Sequence, residues 1–306
     1  MSERLEVLLT ASYCLDIIFT DLPEFPRLGC EVFSQGMDIA PGGAFNAALA
    51  LHRLNIRTGW VGDFGDDFAS RFVLDAVREA GIDESLFHMH HEARRFVTVA
   101  LSYPQDRAFV SYVDRYEKLL PIPEIERYRP QWLFLPHLYS SPQALEGLRT
   151  AHDAGCSVLM DCQSTSLSLD SPDVVDALRR VDVFAPNQAE ALQLTGAHHL
   201  DDALSQLAEL VPLVIVKQGA NGATARRRDV TVHSPAFPVI AVDTTAAGDC
   251  FNAGFLYGTL HGMPLATCLT CANICGGLST TMRGCLATPT AEQLTALLAR
   301  NPAGQV

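Results

Sequence analysis

Val242-Asp-Thr-Thr-Ala-Ala-Gly-Asp-Cys-Phe-Asn-Ala-Gly-Phe255 is where the chain changes character. Before it, apolar runs of strand length alternate with helical periods; after it the sequence is mostly helical. The stretch itself passes from a polar turn of small residues directly into a helix pattern. The amides of Ala246, Ala247 and Gly248 then project from a helix N-terminus, where unpaired N–H groups and roughly half a positive charge favour an anion such as phosphate. Asp249 falls in the first helical turn, beside that pocket. A carboxylate there can accept a proton from a hydroxyl that attacks the phosphate. An ordinary capped helix with an acidic residue favoured by the dipole reads from the same residues, and physics alone leaves both open.

Upstream, Leu5–Thr10, Thr58–Val61, Trp132–Pro136, Ser157–Asp161, Val181–Ala185 and Leu213–Lys217 are near-continuous apolar runs, the pattern of parallel strands buried on both faces. Helical periods fill the gaps at Gly43–Leu54, Asp67–Ala80, Pro142–Ala154, Pro172–Arg179, Gln188–Thr195 and Leu200–Glu209. Helix-stop glycines follow at Gly81, Gly155 and Gly196. Repeated β-α-β with short connections predicts an α/β fold, a doubly wound and mostly parallel sheet sandwiched by helices. Two regions break the rhythm, about 16–40 and 94–113, with strand-like pieces at Glu31–Ser34, Phe96–Ser102 and Ala108–Tyr112. The last two are joined by a hairpin turn at Tyr103–Arg107. They predict a small antiparallel layer, discontinuous in sequence. Downstream the helices are Gly248–Leu260, Pro264–Met282 and Thr290–Ala299.

Composition narrows the class. In 306 residues, 48% hydrophobic and 19% charged, there is ample material for a core. A formal net charge of −13 speaks against a nucleic-acid or anionic-membrane surface but leaves room for a small phosphate pocket. No run reaches the ~18 apolar residues of a membrane span, and Met1–Glu6 does not read as a secretion signal. Nine scattered cysteines read as thiols in a reducing cytoplasm. Cys268, Cys271 and Cys275 share one helical face and read as small buried hydrophobes rather than a metal set. The histidines at 88, 90 and 91 read as solvated loop residues, and Arg226–Arg228 as a hairpin tip.

The 242–255 stretch resembles the second signature of the ribokinase-like (PfkB-type) carbohydrate kinases. Gly42-Gly-Ala-Phe-Asn46-Ala-Ala48 resembles the first, with Gly65 where a glycine belongs, although Asn55 stands where the pattern usually has Gly or Ser. Asn187-Gln-Ala-Glu190 resembles the N-x-x-E motif, and Lys217-Gln-Gly219-Ala-Asn-Gly222 the nucleotide-binding strand and turn. The resemblance covers most of the chain. It implies one kinase domain over residues 1–306 with a β-sheet lid, moving the γ-phosphoryl of Mg-ATP to an alcohol, usually on a sugar.

Residue by residue, Asp249 matches the catalytic base, and Ala246, Ala247 and Gly248 match the anion hole. Asn187 and Glu190 match the residues that organise Mg²⁺ and phosphates through water, and Lys217, Gly219, Gly222 and Asn273 match the nucleotide side. Asp16, Gly43 and Asn46 match the sugar contacts. Asp243 and Thr245, with Ser279, Met282, Gly284 and Thr288 at matching offsets, resemble the ligands of a potassium ion. A homodimer through the lid is a further implication. Tyr139 stands where the family has a ribose-contacting Glu, which points to a polyhydroxylated acceptor other than ribose. Arg94 and Arg95 open a lid strand and read as exposed. Two alternatives stay open. One is a nucleoside kinase with a base clamp from Phe33, Phe109 or Tyr112; the other is a catalytically inactive sugar-binding regulator.

Overall fold

A computed structural model describes residues 4–103, 107–114, 120–163 and 166–300. The chain begins β1 (Val7–Thr10), β2 (Tyr13–Thr20), β3 (Gly36–Gly43), α1 (Ala44–Arg53), β4 (Thr58–Phe64), α2 (Phe68–Ala80), β5 (Phe87–Met89), β6 (Phe96–Ser102) and β7 (Arg107–Val113). It continues α3 (Ile122–Tyr128), β8 (Trp132–Leu135), α4 (Pro142–Asp153), β9 (Ser157–Met160), α5 (Pro172–Leu178), β10 (Val183–Phe184), α6 (Gln188–Thr195), α7 (Leu200–Ala208) and β11 (Leu213–Lys217). It closes with β12 (Ala223–Arg227), β13 (Val230–Ser234), α8 (Ala247–Leu260), α9 (Leu265–Ser279) and α10 (Ala291–Arg300).

Nine strands form the main sheet in the order β13-β12-β11-β10-β9-β8-β1-β4-β5. All pairings from β11 to β5 are parallel, and only the β11–β12 and β12–β13 pairings are antiparallel. The continuous apolar runs are explained by burial on both faces. Val7 and Leu9 join one core cluster and Leu8 the other; Phe134 likewise separates from Leu133 and Leu135. Helices α1, α2, α8, α9 and α10 cover the first face, and α3 to α7 the second. The order reverses at β1, which has β4 on one side and β8 on the other. Such a switch point opens a crevice beyond the carboxyl ends of the strands.

Close packing of α8 on α9 accounts for the cysteines. A Cβ at Gly254 would lie 2.7 Å from the Cys271 carbonyl and 2.9 Å from Cys275 Sγ, so small residues are required where the two helices meet. Cys268, Cys271 and Cys275 are buried thiols in that seam. Arg227 and Arg228 sit at the exposed β12–β13 turn, as expected. His88 and His90 are not simply solvated, because both approach the Asp63 carboxylate, His90 at 2.7 Å. Among the described residues no helix is long and apolar enough to cross a membrane.

A second sheet of four strands has the order β3-β2-β6-β7. Each half is antiparallel, and the β2–β6 seam between them is parallel because its strands come from separate parts of the chain. The expected strand at Glu31–Ser34 is absent. β3 lies at Gly36–Gly43 and pairs with the whole of β2, from Thr20↔Gly36 to Tyr13↔Gly43. Glu31–Ser34 extends past the end of that ladder, with Phe33 73% exposed. Strands β6 and β7 pair from Phe96↔Val113 to Ser102↔Arg107; their turn, 104–106, lies outside the described residues.

Candidate active site

Helix α8 opens at Ala247 with no side chain capping it, and Asp249 lies in its first turn. An uncapped N-terminus beside a carboxylate combines an anion pocket with a proton acceptor. Asp249 is pushed up to about 7, first by burial and then by Asp161, while Lys217 and Asn46 oppose the shift. Asn46, buried on α1, directs Nδ2 at Asp249 Oδ2 over 3.5 Å.

Gly42 and Gly43 place that asparagine. Gly43 has φ 61° and its Cβ would lie 2.7 Å from the Ser12 carbonyl, so only glycine turns β3 into α1 here. A Cβ on Gly42 would overlap the Asp16 carboxylate. Asp16 projects from β2 onto the same face as its register partners Ala40 and Thr98, with Ser111 one strand further. Burial raises its pKa, Cys14 lowers it, and Asp243 adds a smaller upward push.

The carboxyl ends of β9 and β11 supply the rest. Asp161, buried just past β9, accepts from Lys217 Nζ at 2.5 Å, from Asn252 Nδ2 at 2.5 Å and from the Cys162 amide at 2.6 Å. Lys217 Nζ also lies 3.3 Å from where a Cβ on Gly248 would stand, so the ammonium rests against the start of α8. Asn187 and Glu190 form a reciprocal capping box on α6, with bonds of 2.9 and 2.8 Å. Glu190 is raised to about 7 by burial and by Asp161. Asp161 and Asn252 were not singled out from sequence. Their signals were present: an acid ending a parallel strand and an amide inside the apolar part of α8.

Residues 14–292 match the family model for pfkB family carbohydrate kinases. The chain belongs to that family. Its relatives include an aminoimidazole riboside kinase of Salmonella typhimurium, 29% identical over 290 residues, covering 87% of this chain and 90% of the relative. A fructokinase of Klebsiella pneumoniae is 33% identical over 274 residues, covering 80% and 87%. The structure of Arabidopsis thaliana ribokinase complexed with ribose and ATP superposes with a TM-score of 0.82 at 20% identity, covering 96% of this chain and 99% of that one. The doubly wound sheet with its smaller companion sheet is therefore the ribokinase fold.

The remaining expected site residues of this carbohydrate kinase form two further groups. Asn273, in α9, donates to the Ser234 carbonyl at 3.1 Å and to its hydroxyl at 3.0 Å. Gly219 and Gly222 turn β11 into β12, and a Cβ on Gly222 would run into the same Ser234 carbonyl. Asn273 and Gly222 therefore meet at Ser234, while a Cβ on Gly219 would stand in open space. The other group is two loops tied by Asp243. Its Oδ1 accepts from Thr245 Oγ1 at 2.6 Å and from the Thr245 amide at 3.0 Å; its Oδ2 accepts from the Gly284 amide at 3.0 Å. Ser279 and Thr288 turn their hydroxyls onto the Gly276 and Cys285 carbonyls, and the Met282 side chain is exposed. Arg95 pairs with Asp114 at the base of the small sheet.

Proposed function

We propose that the chain is an ATP-dependent phosphotransferase whose single domain moves the γ-phosphoryl of Mg-ATP to an alcohol of a small sugar-like acceptor. The observation that carries this reading is Asp249, a carboxylate raised to about 7 in the first turn of an uncapped helix. Asp249 takes the proton of the attacking hydroxyl, and the amides of Ala246 and Gly248 receive the charge that spreads over the phosphoryl oxygens. The Ala247 amide donates instead to the Thr244 carbonyl at 3.3 Å and would have to exchange that bond to join them. Asp16 and Asn46 hold the acceptor's hydroxyls, with Gly43 setting the approach; Lys217, Gly219, Gly222 and Asn273 face the nucleotide.

Mg²⁺ arriving with the nucleotide would supply the positive charge that neutralises the phosphates as the phosphoryl moves. The donor set here fits a metal that arrives with its nucleotide. The Asp161 carboxylate is already taken by Lys217 and Asn252, and Glu190, whose electrostatic neighbours are Asp161 and Lys217, is tied into the start of α6. Magnesium keeps several waters in such sites, with Glu190 and Asn187 as the residues that would orient them. A monovalent cation fits more narrowly, at Asp243 and the carbonyls of the turn near Ser279, Met282 and Gly284, since the Thr288 hydroxyl is held by Cys285 and Cys250. Faster turnover in potassium than in tetramethylammonium at equal ionic strength is the expected outcome; equal rates would remove that site.

A panel of sugars, sugar acids and nucleosides with Mg-ATP tests the main reading, wild type against Asp249→Asn. Phosphorylation of any acceptor by wild type, lost in the variant, supports it; no turnover with any acceptor would favour an inactive binding protein. A second reading, a riboside acceptor, is favoured by Phe109. It shares the Asp16 face through Ala100 and Ile18, is half exposed, and can stack on a base, as the relative named for an aminoimidazole riboside suggests. Tyr112 falls on the opposite face. That face also carries Ile17, Ile39, Met37, Val99 and Val110, and a second copy covering it would make a homodimer. Sedimentation of wild type against Ile39→Lys tests the dimer. Nine free thiols suit a reducing, cytoplasmic setting.

A further inference from the structure

Three donors from three segments converge on Asp161: the Cys162 amide after β9, Lys217 at the end of β11 and Asn252 in α8. The carboxylate is buried, and Lys217 is only 14% exposed. Asn252 is wholly buried and gives its amide to Asp161, while its own oxygen has no hydrogen-bond partner among the described residues. A buried acceptor left without a partner is costly and rarely incidental. Burial of a charged pair is likewise a poor way to gain stability, because desolvation offsets the attraction. Both costs are incurred to hold one ammonium in one place. That place is the start of α8, where the Gly248 Cα lacks the Cβ that would press on Lys217 at 3.3 Å.

We propose that Asp161 is a positioning residue for phosphoryl transfer, holding the Lys217 ammonium beside the pocket at Gly248 and fixing the charge felt by Asp249. The inference rests on the reading of Asp249 as the base. Lys217 then meets the incoming phosphoryl oxygens already oriented, a cation that needs no reorganisation as charge develops. Asn252 keeps Asp161 from following the ammonium. Asp249 is faced by Asn46 from α1, Asp16 from β2, Asp161 from β9 and Lys217 from β11; Asp161 and Asp16 disfavour its ionisation, and Lys217 favours it.

Asp161→Asn, Lys217→Met and the double variant test this in the full chain with Mg-ATP and whichever acceptor turns over fastest. Asp161→Asn is expected to lower kcat by about tenfold or more, with acceptor KM little changed. In the Lys217→Met background the same substitution should cost less than about twofold, because the residues act as a unit. The acid limb of kcat/KM should move to lower pH in Asp161→Asn and to higher pH in Lys217→Met, which a purely structural role would not produce. Fully multiplicative losses in the double variant, or an acid limb that stays put in both single variants, would overturn the proposal. Should Asp161→Asn fail to fold, Asp161→Ser, which leaves space for a water, is read the same way. Asp249→Asn in parallel separates the two ideas. If turnover survives it, the base reading falls and this inference with it. If turnover collapses there while Asp161→Asn is silent, the base reading stands and only the Asp161 role is lost.

Discussion

The end of the site around α8 and the end on the small sheet are built on different plans. Around α8, Asp161, Lys217, Asn252, Asn187 and Glu190 are joined by hydrogen bonds that cross between β9, β10, β11, α6 and α8. On the small sheet, Asp16, Thr98, Ser111 and Phe109 are side chains set on one face by strand register, with Cys14–Thr98 and Thr98–Ser111 bonds among them. Moving one member of the first group disturbs several others. Changing one side chain on the second leaves its neighbours in place and, on the proposed reading, alters one contact with the acceptor. The difference suits a chemistry that stays constant while the acceptor changes from one relative to another, riboside in one and fructose in the next by their names.

The largest effect is expected where the network is densest. Asp249→Asn should cut kcat by about 10²–10⁴, the scale of a lost general base, with ATP KM little altered. In wild type, kcat/KM should fall below about pH 7 as Asp249 takes up a proton. The same carboxylate carries a stability cost with a definite sign. Its folded pKa is raised above the unfolded value, so the folded state holds the extra proton and stability declines as pH rises toward 7. Asp249→Asn should therefore raise Tm at pH 8 and leave it nearly unchanged at pH 4. A variant that is inactive and no more stable at pH 8 would show that Asp249 is not held at a cost.

The contrast between the two ends also marks what could be read from sequence. Leu213–Lys217, Gln188–Thr195 and Phe96–Ser102 appear in the fold with the bounds their patterns predict, because local period and burial agree there. β3 was invisible for a physical reason. Gly36-Met-Asp-Ile-Ala-Pro-Gly-Gly43 has three glycines and a proline, poor strand material that is carried by pairing along the full length of β2 and tolerated at a sheet edge. Motif-borne residues such as Asp249 and Asn46 were legible as a set. Asp161 was not, since its partners Lys217 and Asn252 lie 56 and 91 residues away and only the sheet order unites them. β2 was no more legible: Tyr13-Cys-Leu-Asp-Ile-Ile-Phe-Thr20 has no apolar–polar alternation, so neither the strand nor the face that carries Asp16 could be read from it.

A middle-sized effect belongs to that face. Asp16→Ala should raise acceptor KM by about 5- to 150-fold, equivalent to about 1–3 kcal/mol for a lost charged hydrogen-bond partner, and leave ATP KM almost unchanged. Gly42→Ala sharpens the test without touching a polar group. Its Cβ would overlap the Asp16 carboxylate and displace it, so the kinetic signature should follow that of Asp16→Ala. If either variant lowers kcat with every acceptor as strongly as Asp249→Asn does, the two ends are one machine and the contrast fails.

The smallest effect is expected at the link between the two ends. Arg283 forms an ion pair with Asp38 on β3, next to Gly284, whose amide holds Asp243 in the loop that leads into α8. By register Asp38 stands on the same face of the small sheet as Ile18 and Ala100, the face that carries Asp16. The pair therefore runs from the small sheet to the Asp243 loop that leads into α8, the two ends that the proposed function gives to acceptor and phosphoryl group. Both partners are nearly half exposed, at 48% and 42%, so water and salt screen them and the contribution should stay below about 1 kcal/mol. Arg283→Ala should then raise acceptor KM by less than about fivefold, leave the acid limb near pH 7 in place, and lose its effect in about 1 M salt, where the screening length is about 3 Å. An unchanged KM at low salt would mean the sheet closes without this contact. A large drop in kcat that persists in high salt would mean that Arg283 shapes the Asp243 loop itself, and the two ends would then be coupled through that loop rather than by charge.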